Sequence, residues 1–350
     1  MKRRAVFAMA LAGLGLAAWL GREPLGNMLM ERAIASRAGQ DMTAGLPDGL
    51  HVVLCGTGSP LPDPTRAEAC TLIIAGQTLL VFDAGDGAAR NLGRWGVPLG
   101  RVQAVFLTHL HSDHVEGLPP LALQRWVGGA ATTALPLIGP PGVEQLAAGY
   151  TMAFTADAGW RTAHHGAAIA PPSGAGMSGR AVAPGLVWDQ AGVKVTAIEV
   201  NHAPVAPAYG YRIEYKGRSV VISGDTGASP ALEQAARGAD VLVHEALQPR
   251  MVAMMTAALE AKGRANTAKI TRDIIDYHLS PELAAAAARR AGVKTLVLSH
   301  IVPPIPNPYF NAAFLGDAPK NYDGPIIVGR DGMMLSLPTD GGPLREKMIN

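Results

Sequence analysis

Three imidazoles and one carboxylate fall within six residues of this chain, in Thr108-His109-Leu110-His111-Ser112-Asp113-His114, directly after the apolar β-like run Ala104–Leu107. Such groups are costly to bury without partners. Imidazole nitrogen and carboxylate oxygen are suitable zinc ligands. A loop leaving a strand end can turn His109 and His111 to one ion, and Asp113 and His114 to another. The fold must then bring that strand end to a place where further ligands arrive. The alternative is a polar surface loop that happens to hold three histidines. With ten histidines in 350 residues, the clustering makes that the weaker reading.

The surrounding pattern supplies many strand ends. The runs His51–Cys55, Thr71–Ile74, Leu79–Asp83, Ala104–Thr108, Leu135–Gly139, Lys194–Val200, Tyr209–Tyr215, Arg218–Ser223, Val241–His244, Thr295–Ser299 and Ile326–Val328 read as strands between Gly and Pro turns. Helical spacing falls between them, over Ala88–Trp95, Val143–Tyr150, Pro230–Arg237, Met251–Lys262 and Pro281–Ala291. That alternation predicts α/β layers. Residues 156–186, rich in Gly, Ala and Pro, break the pattern and read as an inserted loop.

Composition narrows the class. Hydrophobic residues make up 48% and charged residues 17%, which excludes a disordered or collagen-like chain. Lys2, Arg3 and Arg4 precede a 16-residue apolar run, Ala5–Leu20, short for a membrane span. Residues 1–20 therefore read as a signal peptide or an uncleaved N-terminal anchor, and residues 21–46 as a short helical lead-in to a domain over 47–340. Either form of the leader places the body in the periplasm or outside the cell, with a membrane contact only through residues 1–20. Without the three leader cations the chain holds 27 basic against 28 acidic residues. A near-neutral body argues against a dedicated nucleic-acid binder. Cys55 ends one expected strand and Cys70 begins the next. They either pair in an oxidising compartment, closing a loop that contributes about 3 kcal/mol, or stand as two small buried apolar groups.

The segment His109-x-His111-x-Asp113-His114 after a strand resembles the metallo-β-lactamase superfamily. Matching pieces follow in order: Gly56-Thr57-Gly58-Ser59-Pro60, Asp83-Ala84-Gly85, His202, Tyr209-Gly210-Tyr211-Arg212, Gly224-Asp225-Thr226 and His300. The resemblance covers roughly residues 50–335 and is closest to the ribonuclease Z and zinc arylsulfatase branch. It implies an αββα sandwich, with two sheets face to face and helices outside. It also implies two metal ions. His109, His111 and His202 would hold the first, Asp113, His114 and His300 the second, and Asp225 would bridge them. Taken singly, His202 and His300 read as structural histidines and Asp225 as a turn former; their joint order outweighs that. Nitrogen-rich ligands favour zinc, two per chain, with manganese and iron left open. A hydroxide bridging the ions would be the nucleophile, with Asp113 ligating and orienting it. His278 resembles the branch's proton-donating histidine, although Leu279-Ser280 follows where the family has Ser-Thr. Glu245 resembles its acidic partner. The two read alternatively as a structural pair. His244 reads as structural, and His164 and His165 lie in the inserted segment with no assigned role.

Within the branch, ribonuclease Z carries a long basic arm between the Tyr-Gly-Tyr-Arg and Gly-Asp-Thr segments. Here only Lys216, Gly217, Arg218 and Ser219 lie between the Tyr209–Tyr215 strand and the Val220–Ser223 strand end, the length of a hairpin turn. The expectation is thus an exported dinuclear zinc hydrolase of a small ester, an aryl sulfate or phosphodiester, with no nucleic-acid partner and an open question of a homodimer. The alternatives are a ribonuclease Z-like phosphodiesterase on RNA, a biosynthetic metallohydrolase with a specialised substrate, and a non-catalytic metal-binding module.

Overall fold

The computed structural model describes residues 2–349, with side chains for residue 19 and residues 21–349. It divides into two compact units, Met1–Met42 and Thr43–Asn350. The first is one helix, α1 (Lys2–Arg37), which contains Pro24. The expected leader and lead-in share this helix, with no break at residue 20, and the helix ends at Arg37. The side chains of the expected leader, Trp19 apart, lie outside the described residues. Among the described residues no helix is long and apolar enough to cross a membrane.

The second unit opens with β1 (Gly49–Gly56), β2 (Cys70–Ala75), β3 (Thr78–Phe82), β4 (Val102–Phe106), β5 (Leu135–Gly139) and β6 (Met177–Ala181). A second sheet follows, from β7 (Gly185–Gln190), β8 (Val193–His202), β9 (Val205–Tyr215), β10 (Arg218–Ile222), β11 (Val241–Leu247), β12 (Thr295–Val302) and β13 (Ile326–Val328). The chain then returns to the first sheet with β14 (Met333–Pro338) and β15 (Arg345–Met348). The strand orders are β15-β14-β1-β2-β3-β4-β5-β6 and β13-β12-β11-β10-β9-β8-β7. Strands β3 to β6 run parallel, as do β10 to β13. Their C-terminal ends are where an α/β protein presents its ligands.

The sheets face each other across a core that includes Leu54, Phe82, Phe106, Tyr211, Val220, Val243 and Leu335. Phe82 and Phe106 stack at 5.0 Å, and Tyr211 meets both edge-on. The helices lie outside. α2 (Ala88–Arg94), α4 (Leu118–Gly129) and α5 (Val143–Ala153) contact the first sheet. Between α2 and α4 comes the one-turn α3 (Ser112–Val115). After α6 (Thr155–His165), α7 (Pro230–Ala235) lies against β8, followed by α8 (Pro249–Ala261) and α9 (Ala265–Asp273). α10 (Pro281–Ala291) then covers β11 and β12. This is the expected αββα sandwich.

The expected inserted loop over 156–186 is instead mostly regular. It holds α6 and edge strand β6, and runs into β7. It escaped the sequence reading because α6 buries no residue, so it has no apolar stripe to betray it. α4 escaped because Pro119-Pro120 looks like a break; both prolines fall in its first turn, where the missing N–H costs nothing.

Candidate metal centre

Seven side chains from both sheets converge where the strand ends meet. His109 and His111 follow β4, and α3 carries Asp113 and His114. His202 ends β8, Asp225 lies just past β10, and His300 lies on β12. Candidate ligand atoms lie within 4.8 Å of one another in each of four groups: His109, His111 and His202; His109, His114 and Asp225; Asp113, His114 and His300; and Asp225, His278 and His300. Asp225 belongs to two groups and so stands between the histidine-rich end and the Asp113 end. All are buried except His111, which opens the centre to solvent, and partly buried His278.

Local backbone makes this convergence fit. A Cβ on Gly85 would lie 2.1 Å from the carbonyl oxygen of Asp113. Gly224, at φ +60, sits with its Cα so close to β9 that a Cβ would lie 2.5 Å from the Tyr209 oxygen. Both positions need glycine for close approach. Asp83 and His300 take left-handed φ of 56° and 45°, a costly conformation for non-glycine residues that clusters at functional sites.

The hydrogen bonds decide which nitrogen of each imidazole is free. Thr108 donates its hydroxyl proton to Asp83 Oδ2 at 2.8 Å. Its Oγ1 therefore accepts from His109 Nδ1 at 3.1 Å. His114 Nδ1 donates to Asp83 Oδ2 at 2.9 Å, and His202 Nδ1 to the Tyr277 carbonyl at 3.3 Å. In all three rings Nδ1 is thus engaged and Nε2 faces the centre. The Nε2 atoms of His114 and His202 are buried without a hydrogen-bond partner. His109 Nε2 lies 2.9 Å from His111 Nδ1, so two ring nitrogens aim at one spot. Orphaned buried nitrogens beside two carboxylates are what a metal ion would satisfy, so these residues fit the metal that the resemblance implies.

Charge agrees. Burial holds His109 well below its ordinary pKa, helped by the neighbouring His114, and lowers His111 and His202 as well. These three imidazoles are neutral, the form that ligates. Burial opposes ionisation of Asp113 and Asp225. His114 and His300 overcome it at Asp113, and His300, His114 and His109 at Asp225, holding both carboxyls far below the usual range. Burial likewise opposes protonation of His114 and His300, and the carboxylates, Asp225 foremost, reverse it.

His278 lies beside this cluster, its ring 5.6 Å from that of His300 and 5.4 Å from that of His202. Its Nδ1 is 3.1 Å from Glu245 Oε1, which also accepts from the Leu279 amide at 2.9 Å. Burial would lower this imidazole, but the Glu245 carboxylate outweighs it and pushes it up to about 9. His244 points away, with Nδ1 on the Glu245 carbonyl at 2.7 Å. His164 and His165 stack on each other on α6, exposed, and belong to none of the four ligand groups.

Three features were not read from the sequence. Asp83 was noticed only as part of Asp-x-Gly; it orients His114 and, through Thr108, His109. Tyr277 fixes His202 through its carbonyl and packs its ring edge-on at 5.3 Å. Asp331 pins the glycine-rich turn after β1, accepting from Thr57 N, Thr57 Oγ1, Ala67 N and Asn91 Nδ2 at 2.6–2.9 Å. Cys55 and Cys70, left open above, are joined in a disulfide at the base of the same turn.

A beta-lactamase superfamily domain model matches residues 78–301. A protein named ribonuclease Z from Mycolicibacterium paratuberculosis (strain ATCC BAA-968 / K-10) is 41% identical over 256 residues, covering 73% of this chain and 86% of that protein. Another of that name, from Mycobacterium bovis (strain BCG / Pasteur 1173P2), is 39% identical over 284 residues, covering 81% of this chain and 96% of its own length. The crystal structure of the metallo-beta-lactamase fold protein YhfI from Bacillus subtilis superposes with a TM-score of 0.60 at 20% identity, covering 83% of this chain and all of that one. These relatives overturn two expectations: the small aryl sulfate or phosphodiester substrate, and the absence of a nucleic-acid partner. Both rested on the missing basic arm, the near-neutral charge of the body and the expected export leader. The turn between β9 and β10 is indeed only Lys216-Gly217. Yet this short-turned chain matches proteins named ribonuclease Z over 86% and 96% of their lengths, so a short turn does not exclude that likeness.

Proposed function

The chain belongs to the beta-lactamase superfamily, and from that premise we propose that it is a metal-dependent hydrolase of RNA phosphodiesters, ribonuclease Z-like in its chemistry. The observation that carries this reading is the extent of the similarity to the two mycobacterial relatives, spread over most of both chains. The convergence of the candidate ligands supports it.

His109, His111 and His202 would hold one ion, Asp113, His114 and His300 a second, with Asp225 between them. Imidazole-rich donors suit zinc. When bound, the ions would supply Lewis acidity at the phosphate oxygens and an activated water. The chain's own residues do the rest. Asp83 and the Tyr277 carbonyl lock three imidazoles with Nε2 inward. Asp113, aimed at the same space, orients the incoming water. His278, held protonated by Glu245, gives its proton to the leaving ribose oxygen as the P–O bond breaks. Residues 1–20 are read as an export leader or anchor, so the RNA met by the folded domain lies outside the cytoplasm.

The test is turnover of a precursor transfer RNA, an unstructured RNA and bis(p-nitrophenyl) phosphate by the zinc-loaded protein. Asp113→Ala should abolish cleavage of all three. His278→Ala should slow RNA cleavage by about 10²–10⁴-fold and spare the nitrophenyl ester, whose leaving group needs no proton. RNA left intact by the metal-loaded protein sinks the proposal. Equal loss on RNA and nitrophenyl ester removes His278 from its role.

A further inference from the structure

Positive charge is not spread evenly over this chain. Residues 249–273, which form the hairpin of α8 and α9, hold Arg250, Lys262, Arg264, Lys269 and Arg272 against Glu260 and Asp273, a net of +3. The rest of the chain from residue 21 onward holds 22 basic and 26 acidic residues, a net of −4. All five hairpin cations are exposed. Lys262 and Arg264 flank Gly263 at the tip, where amides of Lys262 and Arg264 close on the Leu259 carbonyl. Neither has an ion-pair partner among the described residues. The other three make surface pairs, Arg250 with Glu282, Lys269 with Asp273 and Arg272 with Glu260. Exposed pairs of this kind contribute about 0–1 kcal/mol and exchange readily for another anion.

The hairpin is firmly seated beside the centre. Val252 of α8 packs with Leu247 of β11 and Val302 of β12, and Leu61, Ile274 and Ile275 close around them. Thr256 and Thr271 join the two helices through a 2.7 Å hydroxyl contact. α8 starts four residues after Glu245, and α9 leads through the turn Ile274–Tyr277 into His278. The base of the hairpin is therefore fixed to the proton-donating pair. Its tip stands about 20 Å away, from 13 residues at about 1.5 Å rise.

We propose that the α8–α9 hairpin is the surface that grips RNA, its tip residues Lys262 and Arg264 binding the phosphate backbone of the strand whose scissile bond lies at the metal centre. This rests on the ribonuclease reading above and names where its electrostatic hold lies. A backbone grip is independent of base identity and releases counterions, so its signature is salt dependence. A substrate too short to reach the tip gains nothing from it.

The test compares the full chain with a Lys262→Glu/Arg264→Glu variant. Affinity for a fluorescein-labelled RNA is read by anisotropy over a salt series in the Asp113→Ala background, and cleavage is measured with Asp113 intact. The variant should bind about tenfold or more weakly, and the slope of log affinity against log salt should shrink by about 1.5–2. Turnover of bis(p-nitrophenyl) phosphate should not change, which also shows that the variant folds. RNA cleavage with unchanged affinity and slope in the variant overturns the hairpin and leaves the ribonuclease reading standing. Hairpin-dependent binding by a protein that never cleaves RNA does the reverse.

Discussion

Asp83 does most to prepare the metal centre without facing it. Its carboxylate collects Thr108 N, Thr108 Oγ1 and His114 Nδ1, and the left-handed backbone at φ 56° is what turns it toward them. A partner of this kind fixes the tautomer and tilt of a ligand, and its loss costs about 10–100-fold in metal affinity. Asp83→Asn keeps the shape and tolerates the backbone, but an amide cannot accept from all three donors. Zinc affinity, measured by competition with a chromogenic chelator, should fall by that factor while the melting temperature of the zinc-saturated protein stays close to wild type. Unchanged affinity would reduce Asp83 to a structural residue. The contrast with His109, His111, Asp113 and His114 shows what a sequence reveals at this scale. Those four announce themselves because one loop carries them all. The role of Asp83 depends on an imidazole 31 residues onward, reached only when β3 and β4 lie side by side. The role of Tyr277 is invisible for another reason: its contact to His202 is a backbone carbonyl, which every residue has.

Strands such as Thr78–Phe82 and Leu135–Gly139 were legible because they are buried along their length and read as apolar runs between turns. Helix α10 was legible from its ends. Ser280 accepts from the Leu283 amide, Pro281 opens the first turn, and Gly292 closes the last at φ 62°. Nothing comparable marks α6, which buries no residue, or β6, which buries only Met177. The link between β1 and β2 is where an element speaks to the cell. The disulfide spans a separation of 15 residues, and closing such a loop contributes about 3 kcal/mol by restricting the unfolded chain. Disulfides persist in oxidising compartments. If residues 1–20 direct export, Cys55 and Cys70 in full-length protein taken from cells should resist alkylation by a maleimide under denaturing, non-reducing conditions. Deletion of residues 1–20 should leave both thiols reactive. Free thiols in the full-length protein would remove the export proposal and leave the ribonuclease reading untouched.

The donors of the metal centre come from both layers of the sandwich. His109, His111, Asp113 and His114 belong to the first sheet's edge, and His202, Asp225 and His300 to the second. An ion held by such a set ties the sheets together at the end opposite no other covalent link, since the disulfide joins two strands of the same sheet. Asp113 and Asp225 pair there with protonated His114 and His300, so an ion taken up by these imidazoles displaces their protons and takes their place beside the carboxylates. Metal binding is then folding energy for the whole molecule, by an amount set by mass action: about 2.7 kcal/mol for one site at a hundredfold excess over its dissociation constant. For a unit of this size that is a rise of roughly 4 °C in melting temperature. Calorimetry before and after dialysis against a chelator should show that fall, restored by added zinc. Asp225→Ala should melt at one temperature in either condition, because it removes the residue shared by both halves of the centre. A wild-type melting temperature indifferent to chelator and zinc alike would mean that the seven side chains hold no ion, and the hydrolase would lose its cofactor along with its mechanism.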